Sequence, residues 1–197
     1  MNRKSFIATA LGASFVLATL LPTSASAYPP GTDLQLAAST SVIDWDNVSE
    51  PVGLSLTNAG STKVAVYVNG KKKFGAYPTN GTLSWQFSPG ATGRFVITGV
   101  VGGVRKTVTV YRPTRPIIYS AIKTTRAFWL RTKFAAPGTP VTVVINGVLS
   151  SKIRVTAVNS GGFGSVYIPG NLLRRGSNTV TFHLGSLSYT QDVTGLR

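Results

Sequence analysis

Apolar and polar positions alternate along most of this chain with a period of two. Val52, Leu54 and Leu56 are separated by Gly53 and Ser55; Val180, Phe182 and Leu184 are separated by Thr181 and His183. A side chain that changes face at every residue marks a strand with one dry and one wet face. Gly, Pro, Asn and Ser interrupt the runs about every ten residues, which is the spacing of an antiparallel sandwich. The pattern predicts strands at 38–44, 52–58, 64–69, 71–77, 82–87, 94–101 and 104–111, then at 117–122, 127–135, 141–146, 148–157, 163–168, 178–184 and 187–193. No later stretch has a convincing 3.6-residue period. The run Ala121 to Ala135 is too rich in Thr and aromatic residues for a good helix.

The strand pattern repeats. Val64-Ala65-Val66-Tyr67-Val68-Asn69-Gly70 returns as Val141-Thr142-Val143-Val144-Ile145-Asn146-Gly147, an offset of 77. Each run ends in Asn-Gly, the strongest short-range signal for a tight hairpin turn. Leu83-Ser84-Trp85-Gln86-Phe87-Ser88-Pro89-Gly90 parallels Phe163 to Gly170 at an offset of 80, and the turns Gly102-Gly103 and Gly185-Ser186 lie 83 apart. Three landmarks in one order indicate two copies of one unit, with short insertions in the second. Between them, Arg112-Pro113-Thr114-Arg115-Pro116 reads as an extended, stiff linker. The expected fold is all-β: two tandem immunoglobulin-like antiparallel sandwiches, at 38–111 and 117–197.

The first 27 residues follow a different rule. Arg3 and Lys4 precede an apolar run from Phe6 to Leu21, Pro22 breaks it, and Ala25-Ser26-Ala27 supplies small residues before Tyr28. That is the order of a cleaved secretory signal, and the run is short of the ~20 residues a spanning helix needs. Residues 28–37 read as an extended leader. The expected location is extracellular, with non-covalent association with the cell wall as an option. Cys is absent from the whole chain, which excludes disulfide scaffolds, thiol chemistry and cysteine zinc sites.

Val-x-Val-x-Val-Asn-Gly, a Gly81-Thr82-x-Ser84-Trp85 strand, a Pro-Gly loop and a hairpin ending Thr107-Val108-Thr109-Val110 resemble the bacterial immunoglobulin-like (Big-type) repeat. Gly176-Ser177-Asn178-Thr179-Val180-Thr181-Phe182 is similar to that family's strand entry, G-x-N-T-V-x-V. The resemblance covers roughly 40–111 and 117–193. The export signal and the Tyr28-Pro29-Pro30 start also resemble actinobacterial surface proteins. The resemblance implies a spacer, adhesive or polymer-binding module of a cell envelope, with no catalytic residue to carry over.

Charge sharpens this. The full chain has 20 Lys and Arg against 5 acids; without Arg3 and Lys4, 18 cations remain, a formal +13. Asp33, Asp44, Asp46 and Glu50 precede residue 51, and from 51 to 191 there are 17 cations and no acid. Surfaces normally mix both signs. The imbalance points to an anionic cell-wall polymer or glycan as partner. A protein partner is also open, and the export signal makes nucleic acid the weaker option. The alternative is a passive spacer whose charge serves solubility.

In the expected topology the 69–70 turn, the 89–90 loop and the exit of the last strand share one end. Lys71, Lys72, Lys73, Arg94, Arg112 and Arg115 are therefore expected to form a basic collar at the junction. The bland reading of the three lysines is protection of an edge strand against aggregation. Leu172-Leu173-Arg174-Arg175 forms a second candidate, a loop for a partner or membrane surface, unless its leucines fold under the sheet.

Catalytic and metal chemistry find little support. Asp44, Asp46 and Glu50 lack the glycine and spacing of a calcium loop, and the default is a solvated strand end. His183, the one histidine, falls on a polar strand face with no Gly-x-Ser-x-Gly elbow elsewhere. No enzyme activity, cofactor or metal is expected. Trp85, Phe87, Phe163, Tyr167 and Phe182 are expected mostly in the core. Trp129 is the candidate for an exposed aromatic that stacks on sugar beside Arg126 and Arg131, although alternation leaves both faces of that strand open as core.

Overall fold

The computed structural model describes residues 33–47, 50–121, 127–149, 154–156 and 158–195; the expected export signal, residues 1–27, lies outside them. Among the described residues, fifteen strands form four sheets. The first copy contains β1 (Gln35–Ala38), β2 (Val52–Thr57), β3 (Val64–Val68), β4 (Lys71–Ala76), β5 (Leu83–Phe87), β6 (Gly93–Val101) and β7 (Val104–Arg112). The second contains β8 (Ile117–Ala121), β9 (Ala127–Thr132), β10 (Val141–Ile145), β11 (Val148–Leu149), β12 (Arg154–Thr156), β13 (Gly164–Ile168), β14 (Gly176–Leu184) and β15 (Leu187–Gly195). A single 3-10 turn, Gly170–Leu172, is the helical element among the described residues.

Sheet orders are β1-β2-β5 against β4-β3-β6-β7, then β12-β13-β9-β8 against β11-β10-β14-β15, and neighbouring strands within each sheet pair antiparallel. This is the immunoglobulin-like arrangement twice over. Each sandwich has its own core. Leu34, Leu56, Val64, Val66, Ile97 and Val110 fill the first, and Leu130, Val141, Val143, Val166, Ile168 and Phe182 the second. Fully burying such a side chain contributes about 1.5–3 kcal/mol.

The repeat holds in atomic detail. β6 and β7 share nine register pairs from Gly93↔Arg112 to Val101↔Val104, and β14 and β15 share nine from Gly176↔Gly195 to Leu184↔Leu187. Thr98 and Thr107 hydroxyls meet at 3.1 Å, and their counterparts Thr181 and Thr190 at 3.0 Å. In the turns, Asn69 and Asn146 take φ of 48° and 51°, and the glycines that follow take 76° and 79°. Asn tolerates this left-handed region and Gly occupies it freely. Each Asn then extends the ladder with its side chain: Val96 N–H donates to Asn69 Oδ1 at 2.8 Å, and Thr179 N–H to Asn146 Oδ1 at 3.0 Å.

Four expectations need correction. The first strand begins at Gln35, and Leu34 is fully buried, so residues 34–37 belong to the sandwich and not to a leader. Residues 41–43 instead run beside the end of β7, with Val42 bridged in parallel to Tyr111. The expected strand 148–157 is two, β11 and β12, in opposite sheets. Phe163 and Tyr167 do not join the core. Val166 and Ile168 are buried, with Val166 in register with the buried Leu130, which is one residue out of phase with Trp85 and Phe87. The sequence Val166-Tyr167-Ile168 is apolar at every position, so period-two reading does not decide its face. A one-residue slip inverts the whole strand.

Candidate functional site

The junction between the sandwiches is tied at several points. Thr114 N–H donates to Lys133 O at 3.0 Å, Lys133 N–H to Thr114 Oγ1 at 3.0 Å, and Thr132 Oγ1–H to Thr114 O at 2.7 Å. Pro113 and Pro116 are buried. Ile43 belongs to the first core and Trp45, two residues on, to the second. Asp44 Oδ1 accepts from Asp46 N–H at 2.9 Å, Asp46 pairs with Arg115, and Asn47 donates to Glu50 at 2.9 Å. No group of three or more His, Cys, Asp or Glu among the described residues is placed to hold a metal.

The expected collar is divided by these contacts. The Asn69-Gly70 turn, the Pro89 loop and the end of β7 do share one end, because Asn69 bonds Val96, and Arg112 Nη1 donates to Pro89 O at 2.9 Å. Lys71, Lys72, Lys73 and Arg94 are exposed there. Arg112 is the last residue of β7 and 4% exposed, so it is not a surface cation of a linker. Its Nε–H is buried with no hydrogen-bond partner. Arg115 is exposed but committed to Asp46.

The second expected loop also splits. Leu173 is buried in the second core and Leu172 packs partly against it, leaving Arg174 and Arg175 exposed. The loop is held by Asn178, which is fully buried. Asn178 Oδ1 accepts from Arg174 N–H at 3.0 Å and from Asn146 Nδ2–H at 3.0 Å; its Nδ2–H donates to Arg174 O at 2.9 Å and Gly176 O at 3.0 Å. The Asn of the strand-entry motif therefore has a structural task.

The least expected feature is the outward face of the β12-β13-β9-β8 sheet. Leu130 and Thr132 are buried, which turns Trp129, Arg131 and Lys133 outward. Register sets Trp129 beside Tyr167 and Arg131 beside Ser165 and Ile117. The Trp129 and Tyr167 rings lie 5.1 Å apart, tilted by 56°, and the Arg131 guanidinium carbon is 5.8 Å from the Trp129 ring centre. That distance is within cation–π range. Next to them is an open groove of about 490 Å³ whose lining includes Ile117, Phe163, Arg131, Lys133, Thr114 and Ser165.

Ile117 is 52% exposed, Phe163 51% and Phe134 40%. Phe134 also takes φ of 60°, a region bulky side chains rarely enter, and Ala135 N–H holds the segment by donating to Gly162 O at 3.1 Å. Strain of this kind tends to gather at functional sites. Sequence reasoning found Trp129 and Arg131, but missed Phe163 and Tyr167 because it assigned them inward. Arg126 lies outside the described residues.

His183 is half-buried between its register partners Thr142 and Ser188, and Asp192 accepts from Thr179 Oγ1–H at 3.0 Å. Among the described residues no helix is long and apolar enough to cross a membrane.

No protein-family model matches the chain, and no curated protein matches it. Similar solved structures are of low identity. The D0-D1 domain of intimin is 13% identical, with 81% of this chain and 96% of that one covered and a TM-score of 0.36. A C-terminal 282-residue intimin fragment in complex with the translocated intimin receptor is 12% identical, covering 82% and 63%, with a TM-score of 0.41. Invasin, a bacterial integrin-binding protein, is 17% identical, covering 82% and 38%, with a TM-score of 0.36. This chain thus spans under two thirds of the second and third of these. Likeness at this level concerns architecture and says nothing about a ligand.

Proposed function

We propose that this chain is an exported, non-enzymatic surface interaction module that associates with an anionic cell-envelope polymer or glycan. The observation that carries the reading is the charge distribution on the two sandwiches. The chain has no acid from 51 to 191, and Lys71, Lys72, Lys73, Arg94, Arg174 and Arg175 lie exposed on both copies. Of the acids before residue 51, Asp46 is paired with Arg115 at the junction. A surface with one sign of charge raises the local concentration of the opposite sign and speeds encounter.

The test is retention of the mature chain on immobilised teichoic acid over a salt series. Screening shortens from about 10 Å at 0.1 M to 3 Å at 1 M, so the chain is expected to bind at low salt and elute below about 1 M. The tied junction favours a second reading, a passive structural spacer or assembly subunit with no specific ligand. Such a spacer passes through the column at every salt concentration.

A further inference from the structure

We infer that the outward face of β8, β9 and β13 is a binding groove for an acidic sugar polymer, with aromatic rings for the sugar and Arg131 and Lys133 for its acid groups. The inference rests on the polyanion reading above and names where and what this chain binds.

Three features of one place support it. The first is apolar exposure where burial is expected. Six large hydrophobic residues are prominently exposed among the described residues, and two of them, Ile117 and Phe163, line this groove. Exposed apolar surface gathered in one patch and rimmed by polar groups marks a binding site. The second is chemical mixture. Flat aromatic faces at Trp129 and Tyr167 continue through Arg131 into the groove, where Lys133, Thr114 and Ser165 add cationic and hydroxyl groups. An all-apolar partner would leave those polar groups desolvated and unpaired, at a cost. A pyranose presents a C–H face, hydroxyls and, in an acidic sugar, a carboxylate or phosphate.

The third is shape and charge. About 490 Å³ lies within the ordinary range of ligand sites. No acid is among its lining residues. Trp129 and Arg131 lie two residues apart on β9, about 7 Å along one strand face, and Lys133 follows just past its end. Arg131 sets a cationic group within cation–π range of the Trp129 ring at the edge of this groove.

Binding of the mature chain is measured by fluorescence titration with four probes. Oligogalacturonate carries sugar and carboxylate, glycosylated teichoic acid carries sugar and phosphate, dextran carries sugar without acid, and polyglutamate carries acid without sugar. Binding to either or both of the first two is expected, with the preferred one identifying the acid. Trp129→Ala and Phe163→Ser are expected to weaken that binding at least tenfold and to leave polyglutamate binding unchanged, while Trp129→Phe retains most of the affinity. Thermal unfolding of each variant separates lost binding from lost fold. Equal sugar-acid affinity in wild type and folded Trp129→Ala and Phe163→Ser variants overturns the groove while leaving the polyanion reading standing. A wild-type chain that binds none of the charged probes overturns both.

Discussion

Asn178 shows how a motif that looks like a signature of family can be a matter of hydrogen-bond satisfaction. It is fully buried, and its amide serves the Arg174 and Gly176 backbone as well as Asn146. Asn178→Ala removes both ends of that network and leaves buried groups unpaired, each worth about 1–3 kcal/mol; denaturant unfolding is expected to show a loss of at least 2 kcal/mol. The turn residue Asn146 separates two effects. Asn146→Gly keeps the positive φ and loses only the side-chain bonds, costing about 1 kcal/mol, whereas Asn146→Ala adds left-handed strain of about 1–2 kcal/mol. Equal losses for the two would show that backbone conformation contributes nothing there. Arg112 runs the other way. Its guanidinium is buried with a single carbonyl partner and an unpartnered Nε–H. A buried charge without an acid is replaceable by an apolar side chain of similar length, so Arg112→Met is expected to keep or raise the melting temperature. The sequence did not reveal this, because a strand-end Arg beside prolines looks identical to a solvated linker cation.

At the scale of elements, the two copies treat the same edge differently. Lys71 and Lys72 occupy on β4 the positions that Val148 and Leu149 occupy on β11, opposite Val68 and Tyr67 in one copy and Ile145 and Val144 in the other. Charged residues on an edge strand oppose pairing with another chain. Replacing Lys71, Lys72 and Lys73 by Val is therefore expected to produce concentration-dependent self-association in sedimentation velocity, and a monomer at all concentrations would remove the edge-protection role. The segment 41–46 joins elements that sequence kept apart. Trp45→Ala should cost about 3–5 kcal/mol as a large aromatic truncated in a core. The expected loss of amide-exchange protection falls in β10 and β14, remote in sequence from residue 45, and a loss confined to β2 through β7 would contradict the placement. Strand existence was legible almost throughout, since Val64–Val68 and Val141–Ile145 alternate cleanly. Phase was not legible at Phe163 to Ile168, where side chains on both faces are apolar and only pairing with Leu130 decides which side is dry. That single inversion hid half of the aromatic face.

For the molecule as a whole, two immunoglobulin-like sandwiches meet at a junction tied by Thr114, Trp45 and the Asp46–Arg115 pair. Their surface carries cations on both copies and a groove of aromatic and basic residues on one. The charge imbalance was fully legible in sequence, being a count. Its division into exposed, buried and paired members was not, because Arg112 and Arg115 differ only in what the fold brings to them. The most direct measurement compares binding of residues 28–197 to isolated cell walls before and after removal of their anionic polymers. The expected result is salt-sensitive binding to intact walls that falls at least tenfold on stripped ones. Equal binding to both, or none to either, would contradict an anionic envelope partner.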